Sequence, residues 1–106
     1  MVGGVHRSAL AGAVELLRAL ASEVRLAVVA ELANAPRCVH ELQGALRGQD
    51  REVSQPLLSQ HLKVLRDAGI VTTTRTGTQI TYRLADARVV RIVIDATSQA
   101  PWEEEP

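Results

Sequence analysis

Few side chains in this sequence can do chemistry, and those that can fall into short clusters. Cys38 and His40 stand two positions apart in the run Cys38-Val39-His40-Glu41-Leu42. A thiolate and an imidazole are both good ligands for zinc, nickel or cobalt, but two ligands do not close a site. Further donors have to come from elsewhere, such as His6 near the N-terminus or a carboxylate. A single cysteine is as often a small apolar core side chain, and a histidine on an exposed helix face is often only solvated. The second cluster is Gln55, Ser59, Lys63 and Arg66, which lie on one helical face opposite Leu58, Leu62 and Leu65. Their donors suit base edges and phosphates, and Ser54, Gln60 and His61 belong to the same helix. For His61 a DNA contact and a packed structural role fit equally well. Arg75, near a Gly77 turn, can reach a neighbouring phosphate or the minor groove. The plain alternative for the whole helix is a solvated polar face.

Other chemistry is poorly supplied. The sequence has no glycine-rich phosphate loop, no nucleophile elbow and no paired His-Glu metal motif, so it does not read as an enzyme. Tyr82 and Trp102 are the two aromatics, which excludes a stacking platform for single strands. At 106 residues, 46% hydrophobic and 23% charged, the chain is the size and composition of one globular domain. Twelve basic and twelve acidic residues cancel, but Glu103, Glu104 and Glu105 belong to the tail, leaving residues 1–100 at +3. The stretch 47–91 holds eight bases and four acids, a local basic region of the kind that meets phosphate. One cysteine allows no intramolecular disulfide. With no secretory signal and no apolar run of about 20 residues, the expectation is a cytoplasmic protein without a membrane span.

These residues must be held by something. Leu10, Val14 and Leu17, with Leu16 and Leu20, predict an amphipathic helix from Ser8. Ser22 predicts a cap for a second helix, with Leu26, Val29, Ala30 and Leu32 as its apolar set, ending near Asn34 and Pro36. Cys38 and Val39 enter a short third helix whose inner face is Val39, Leu42 and Leu46. Ser54 opens a fourth, with Pro56 in its first turn and Gly69 as its left-handed stop. The period then changes from 3.6 to 2. Ile70–Thr73 and Gln79–Leu84 predict two strands, with a tip at Arg75-Thr76-Gly77-Thr78. A last helix starts near Ala85 or Asp86 and is apolar nearly all round through Val89, Val90, Ile92, Val93 and Ile94, which calls for a second chain to cover it. Helix, turn, helix and hairpin in that order is the winged helix-turn-helix arrangement. The expected fold is mainly α: four helices, a two-stranded wing and a C-terminal dimerisation helix, with the domain over 8–98 and an acidic tail over 99–106.

The run Val53-Ser54-Gln55-Pro56-Leu57-Leu58-Ser59-Gln60-His61-Leu62-Lys63-Val64-Leu65-Arg66-Asp67-Ala68-Gly69-Ile70-Val71 resembles the recognition-helix signature of the ArsR/SmtB family. Leu20-Ala21-Ser22-Glu23-Val24-Arg25-Leu26 resembles the opening of that family's second helix, and Tyr82-Arg83-Leu84 its exit from the wing. The resemblance implies a homodimeric transcription regulator on operator DNA, usually a repressor released by a metal ion. Leu10, Val14, Leu17, Val89, Ile92 and Val93 are the expected dimer contacts. Cys38-Val39-His40 is similar to the family's third-helix thiolate motif, with His40 in place of the second cysteine. At the last helix Asp86 fits the first ligand position of the family's interfacial site, while Arg88, Gln99 and Trp102 stand where the other three ligands belong. Nickel or zinc is therefore expected at Cys38 and His40 before Asp86. A competing expectation is a regulator without its own metal site, acting through a co-regulator protein or Cys38 oxidation. A winged helix that binds only protein is less favoured, because Lys63, Arg66 and Arg75 would have no purpose there.

Overall fold

The computed structural model describes residues 4–98, so the acidic tail over 99–106, with Gln99 and Trp102, lies outside the described residues. The chain forms five helices and a small antiparallel sheet: α1 (Arg7–Leu20), α2 (Glu23–Asn34), β1 (Arg37–Cys38), α3 (Val39–Arg47), α4 (Gln55–Asp67), β2 (Val71–Thr76), β3 (Gln79–Leu84) and α5 (Ala87–Thr97).

The local signals act where expected. Ser22 Oγ accepts from the Arg25 N–H at 3.2 Å and starts α2, and Ser54 Oγ accepts from the Leu57 N–H at 3.3 Å and starts α4. Gly69, at φ +75°, ends α4: its N–H donates to the Arg66 carbonyl and the Ile70 N–H reaches back to the Leu65 carbonyl. Both orphaned carbonyls are thereby satisfied, which gives the chain a sharp exit into the wing. β2 and β3 pair from Val71↔Leu84 to Thr76↔Gln79, and Gly77, at φ +63°, makes the tight connection.

The sheet has three strands rather than two, in the order β1-β3-β2. β1 is two residues long, pairing Arg37 with Tyr82 and Cys38 with Thr81. Two residues cannot show a period, so only the approach of β3 creates this strand. Cys38 therefore ends a strand and caps α3 instead of lying in its first turn.

The core is built of Leu, Val, Ile and Ala with Cys38 added, and its fully covered side chains include Leu42, Leu46, Leu58, Leu62, Leu65 and Ile70. α2 is the central helix: Val28, Val29 and Leu32 are buried, and it touches α1, α3, α4, α5 and β3. Ala30, expected on its inner face, is exposed, and Val28 takes that role.

The residues expected at a dimer contact divide in a way periodicity did not foretell. Leu10, Val14 and Leu17 are 54%, 45% and 54% exposed, while Leu16, Ala19 and Leu20 turn α1 toward its own core. Val89 and Val93 are buried within their own chain and Ile92 is partly buried, so these three do not form the open apolar face of α5. The physical reason is the position of α5: Val93 lies beside Val29 and Ala33 of α2, while Val89 and Ile92 line a crevice with Ala13 and Leu16 of α1. Ile94, 55% exposed, is the large apolar residue of α5 that faces outward.

Candidate nucleic-acid interface

α4 is amphipathic with two distinct jobs. Leu58, Leu62 and Leu65 lie in the core with no exposed surface, and Gln55, Ser59, Gln60, Lys63 and Arg66 are exposed on the other side. The apolar stripe fixes the helix on the domain, and so fixes the direction of the polar stripe. The polar loop before α4 is braced from both sides. Arg47 pairs with Glu52 at 3.1 Å, Arg51 with Glu23 of α2 at 2.9 Å, and Gln43 Nε2 donates to the Val53 carbonyl at 3.0 Å. The turn between α3 and α4 is therefore held by side chains from two helices, α2 and α3.

Ser54 is exposed and spends its hydroxyl lone pair on the cap of α4. Lys63 Nζ lies 2.8 Å from Asp67 Oδ2, and this exposed contact holds the Asp67 carboxyl below its usual range. A surface pair of this kind is weak and exchanges readily for another anion such as a phosphate. Among the described residues Arg66 and Arg75 have no ion-pair partner. Arg75 is exposed within β2, opposite Ile80, so it stands just before the wing tip and not in it. Thr72, Thr74, Thr76 and Thr78 of the same hairpin are also exposed.

His61 departs from the polar stripe. It is half-buried, and its Nδ1 lies 3.0 Å from Arg25 Nη1 on α2. A guanidinium only donates, so Nδ1 is the acceptor and the ring proton sits on Nε2. Burial and then the nearby guanidinium push the imidazole pKa below its ordinary value of 6.5. The same Arg25 donates through Nε to the Ala19 carbonyl at 2.6 Å, at the end of α1. The functional reading of the sequence missed Arg25. The available signal was a lone cation in the apolar run from Val24 to Val29.

The expected metal donors are not brought together. Among the described residues no group of three or more His, Cys, Asp or Glu side chains could hold a metal ion. Cys38 is buried at the N-cap of α3, where its N–H donates to Glu41 Oε1 at 2.8 Å, and His40 is exposed. The Cys38 backbone and thiol, with Arg37 contributing, hold the Glu41 carboxyl below its usual range. His6 caps α1, its Nδ1 accepting from the Ser8 N–H at 3.2 Å. Asp86 caps α5: Oδ1 accepts from the Arg88 N–H at 2.8 Å, and Oδ2 from Arg88 Nε and Nη2 at 2.9 and 2.6 Å. His6 and Asp86 are spent on helix caps, Cys38 is buried and His40 is exposed, so the described residues of one chain do not make a closed nickel or zinc site.

Arg88 lowers the Asp86 pKa, chiefly through the side-chain hydrogen bond. The carboxylate thus stabilises the fold above its usual 3.8, and that contribution is lost as pH falls through the lower folded value. Asp86→Ala should lower the melting temperature at neutral pH and reduce the loss on acidification, whereas Asp86→Asn should retain most of the cap. Thermal unfolding followed by circular dichroism at several pH values checks both, and an Asp86→Ala protein as stable as the parent would refute the assigned cap.

Among the described residues no helix is long and apolar enough to cross a membrane. Residues 22–73 match the family described as bacterial regulatory protein, arsR family. The HTH-type transcriptional repressor SmtB of Mycobacterium tuberculosis is 52% identical over 94 residues, which is 89% of this chain and 66% of that repressor. The chain thus spans about two thirds of the length of this relative. HlyU from Vibrio cholerae superposes with a TM-score of 0.76 at 32% identity, covering 89% of this chain and all of that one. A homodimeric winged helix-turn-helix DNA-binding domain from Mycobacterium bovis, a possible ArsR-family regulator by its own description, superposes at 0.71 with 29% identity, covering 88% of this chain and 83% of that one.

Proposed function

Because this chain belongs to the arsR family of bacterial regulatory proteins, we propose that it is a transcriptional repressor that holds duplex operator DNA as a homodimer. One observation carries this reading: the exposed donor face of α4 runs, through the Gly69 stop, into a wing bearing exposed Arg75. Gln55, Ser59 and Gln60 are assigned to base edges, and Lys63, Arg66 and Arg75 to phosphates. The donors near the N-terminal end of α4 enter the major groove, while the wing follows the adjacent backbone. The family's function is regulatory, in keeping with the absence of any catalytic motif from the sequence.

A second copy is required for two reasons. Leu10, Val14 and Leu17 form an apolar stripe on α1 that its own chain leaves open. Two reading helices about one turn of DNA apart, ~34 Å, are also what a paired half-site needs. The M. bovis neighbour is described as homodimeric, which supports the same assembly here. A nickel or zinc response is left out of this proposal: within one chain His6 and Asp86 cap helices, Cys38 is buried, and no three such donors are grouped among the described residues.

The test is binding to a labelled duplex enriched by the protein itself from a random-sequence pool, measured over a range of salt. Arg75→Ala should weaken binding to all sequences and flatten the log–log salt slope by about 0.9, the value of one phosphate contact. Gln55→Ala should chiefly relax sequence preference. A Lys63→Ala, Arg75→Ala double variant that binds as tightly as the parent, with the parent's salt slope, would overturn this placement of the interface.

A further inference from the structure

Arg25 is the feature that DNA contact and dimerisation leave unexplained. It is half-buried where α1, α2 and α4 meet, with one guanidinium edge on the Ala19 carbonyl and another on His61 of the recognition helix. We propose that Arg25 is a positioning residue for DNA reading: it ties α4, through neutral His61, to the C-terminal end of α1. The proposal rests on the repressor reading and adds to it the part that aims the reading helix. α1 carries the open apolar stripe at Leu10, Val14 and Leu17. A tie from its last turn to α4 therefore transmits the frame set by the second copy to the donors that enter the groove.

The tie has a chemical condition. Arg25 offers only donors, so it needs an unprotonated Nδ1. A protonated ring presents a donor and a positive charge to the guanidinium, and the contact becomes repulsive. Arg25 of α2 is the charged group that acts on the ring. Glu15 and Arg18 of α1 and Asp67 of α4 line the crevice of about 630 Å³ beside Arg25. Burial and the guanidinium both favour the neutral ring, so the tie is intact at neutral pH and opens in acid.

The two roles open to His61 have opposite signs. If its ring contacted DNA, protonation would add a cation facing phosphate and strengthen binding. As the acceptor of the tie, protonation must weaken binding. The experiment measures affinity for the pool-enriched duplex at about pH 7.5 and about pH 5. The parent should bind about two- to tenfold more weakly in acid, as the neutral fraction falls. His61→Gln keeps an acceptor that cannot be protonated, so its ratio between the two pH values should stay near one, whatever its absolute affinity. Arg25→Met, its folding verified by circular dichroism, should bind more weakly than the parent at the higher pH and lose the acid weakening. His40→Ala should keep the parent's ratio. Acid binding in the parent that is unchanged or stronger, or a His61→Gln protein that keeps the acid weakening, would overturn the assignment. Absence of duplex binding at both pH values would instead refute the repressor reading, and this proposal with it.

Discussion

A Val14→Glu chain will sediment as a monomer at micromolar concentration and bind its operator about 10²–10⁴-fold more weakly than the parent, the range by which linking two half-site contacts raises overall affinity. Val14 sits between Leu10 and Leu17 on the open stripe of α1 and is 45% exposed in the single chain. A carboxylate there is hydrated in the monomer and stripped of water in the dimer without a partner, so the penalty falls on assembly. The fold itself should be little affected, because α1 meets its own core through Leu16, Ala19 and Leu20. Sedimentation equilibrium and duplex titration, with circular dichroism as the control, give the three readouts. A Val14→Glu dimer with undiminished affinity would move the interface off α1.

Leu62→Ala will cost about 2–5 kcal/mol of folding stability, because it removes a side chain with no exposed surface and leaves a cavity between α4 and the core. For a domain of this size that is a large share of a total of about 5–15 kcal/mol. DNA binding should fall with the folded fraction, since the leucine stripe is what holds the donor stripe outward. Leu57→Ala, on the same helix but 45% exposed, should change stability by no more than about 0.5 kcal/mol. Urea unfolding of both variants separates the cases. Equal losses at the two positions would mean that α4 is not seated as described.

Much of the molecule is legible in the sequence alone. The caps at Ser22 and Ser54, the stop at Gly69, the tight turn at Gly77 and the change of period after α4 are local, because each depends on backbone groups within a few residues. The leucine stripe of α4 and its exposed donors are likewise one helix's own pattern, legible from spacing alone.

Only the tertiary structure decided what lies across from what. α1 has apolar residues on two faces, and packing on α2 and α4 determined that Leu16 and Leu20 are covered while Leu10, Val14 and Leu17 are not. Val89 and Val93 look available on a helix that is apolar nearly all round, but both are buried in the single chain, Val93 beside α2 and Val89 beside α1 and the end of α4. β1 exists because β3 passes beside two residues too few to show a period. Cys38 and His40 look like ligands by spacing, but the N-cap of α3 buries one and leaves the other exposed. His61 and Arg25 are 36 positions apart, and only the crossing of α2 and α4 makes them one joint. Sequence spacing reports which residues share an element's face, because that follows from backbone periodicity alone. Which faces are covered, and which distant side chains meet, depends on how the elements pack, and no local pattern encodes that.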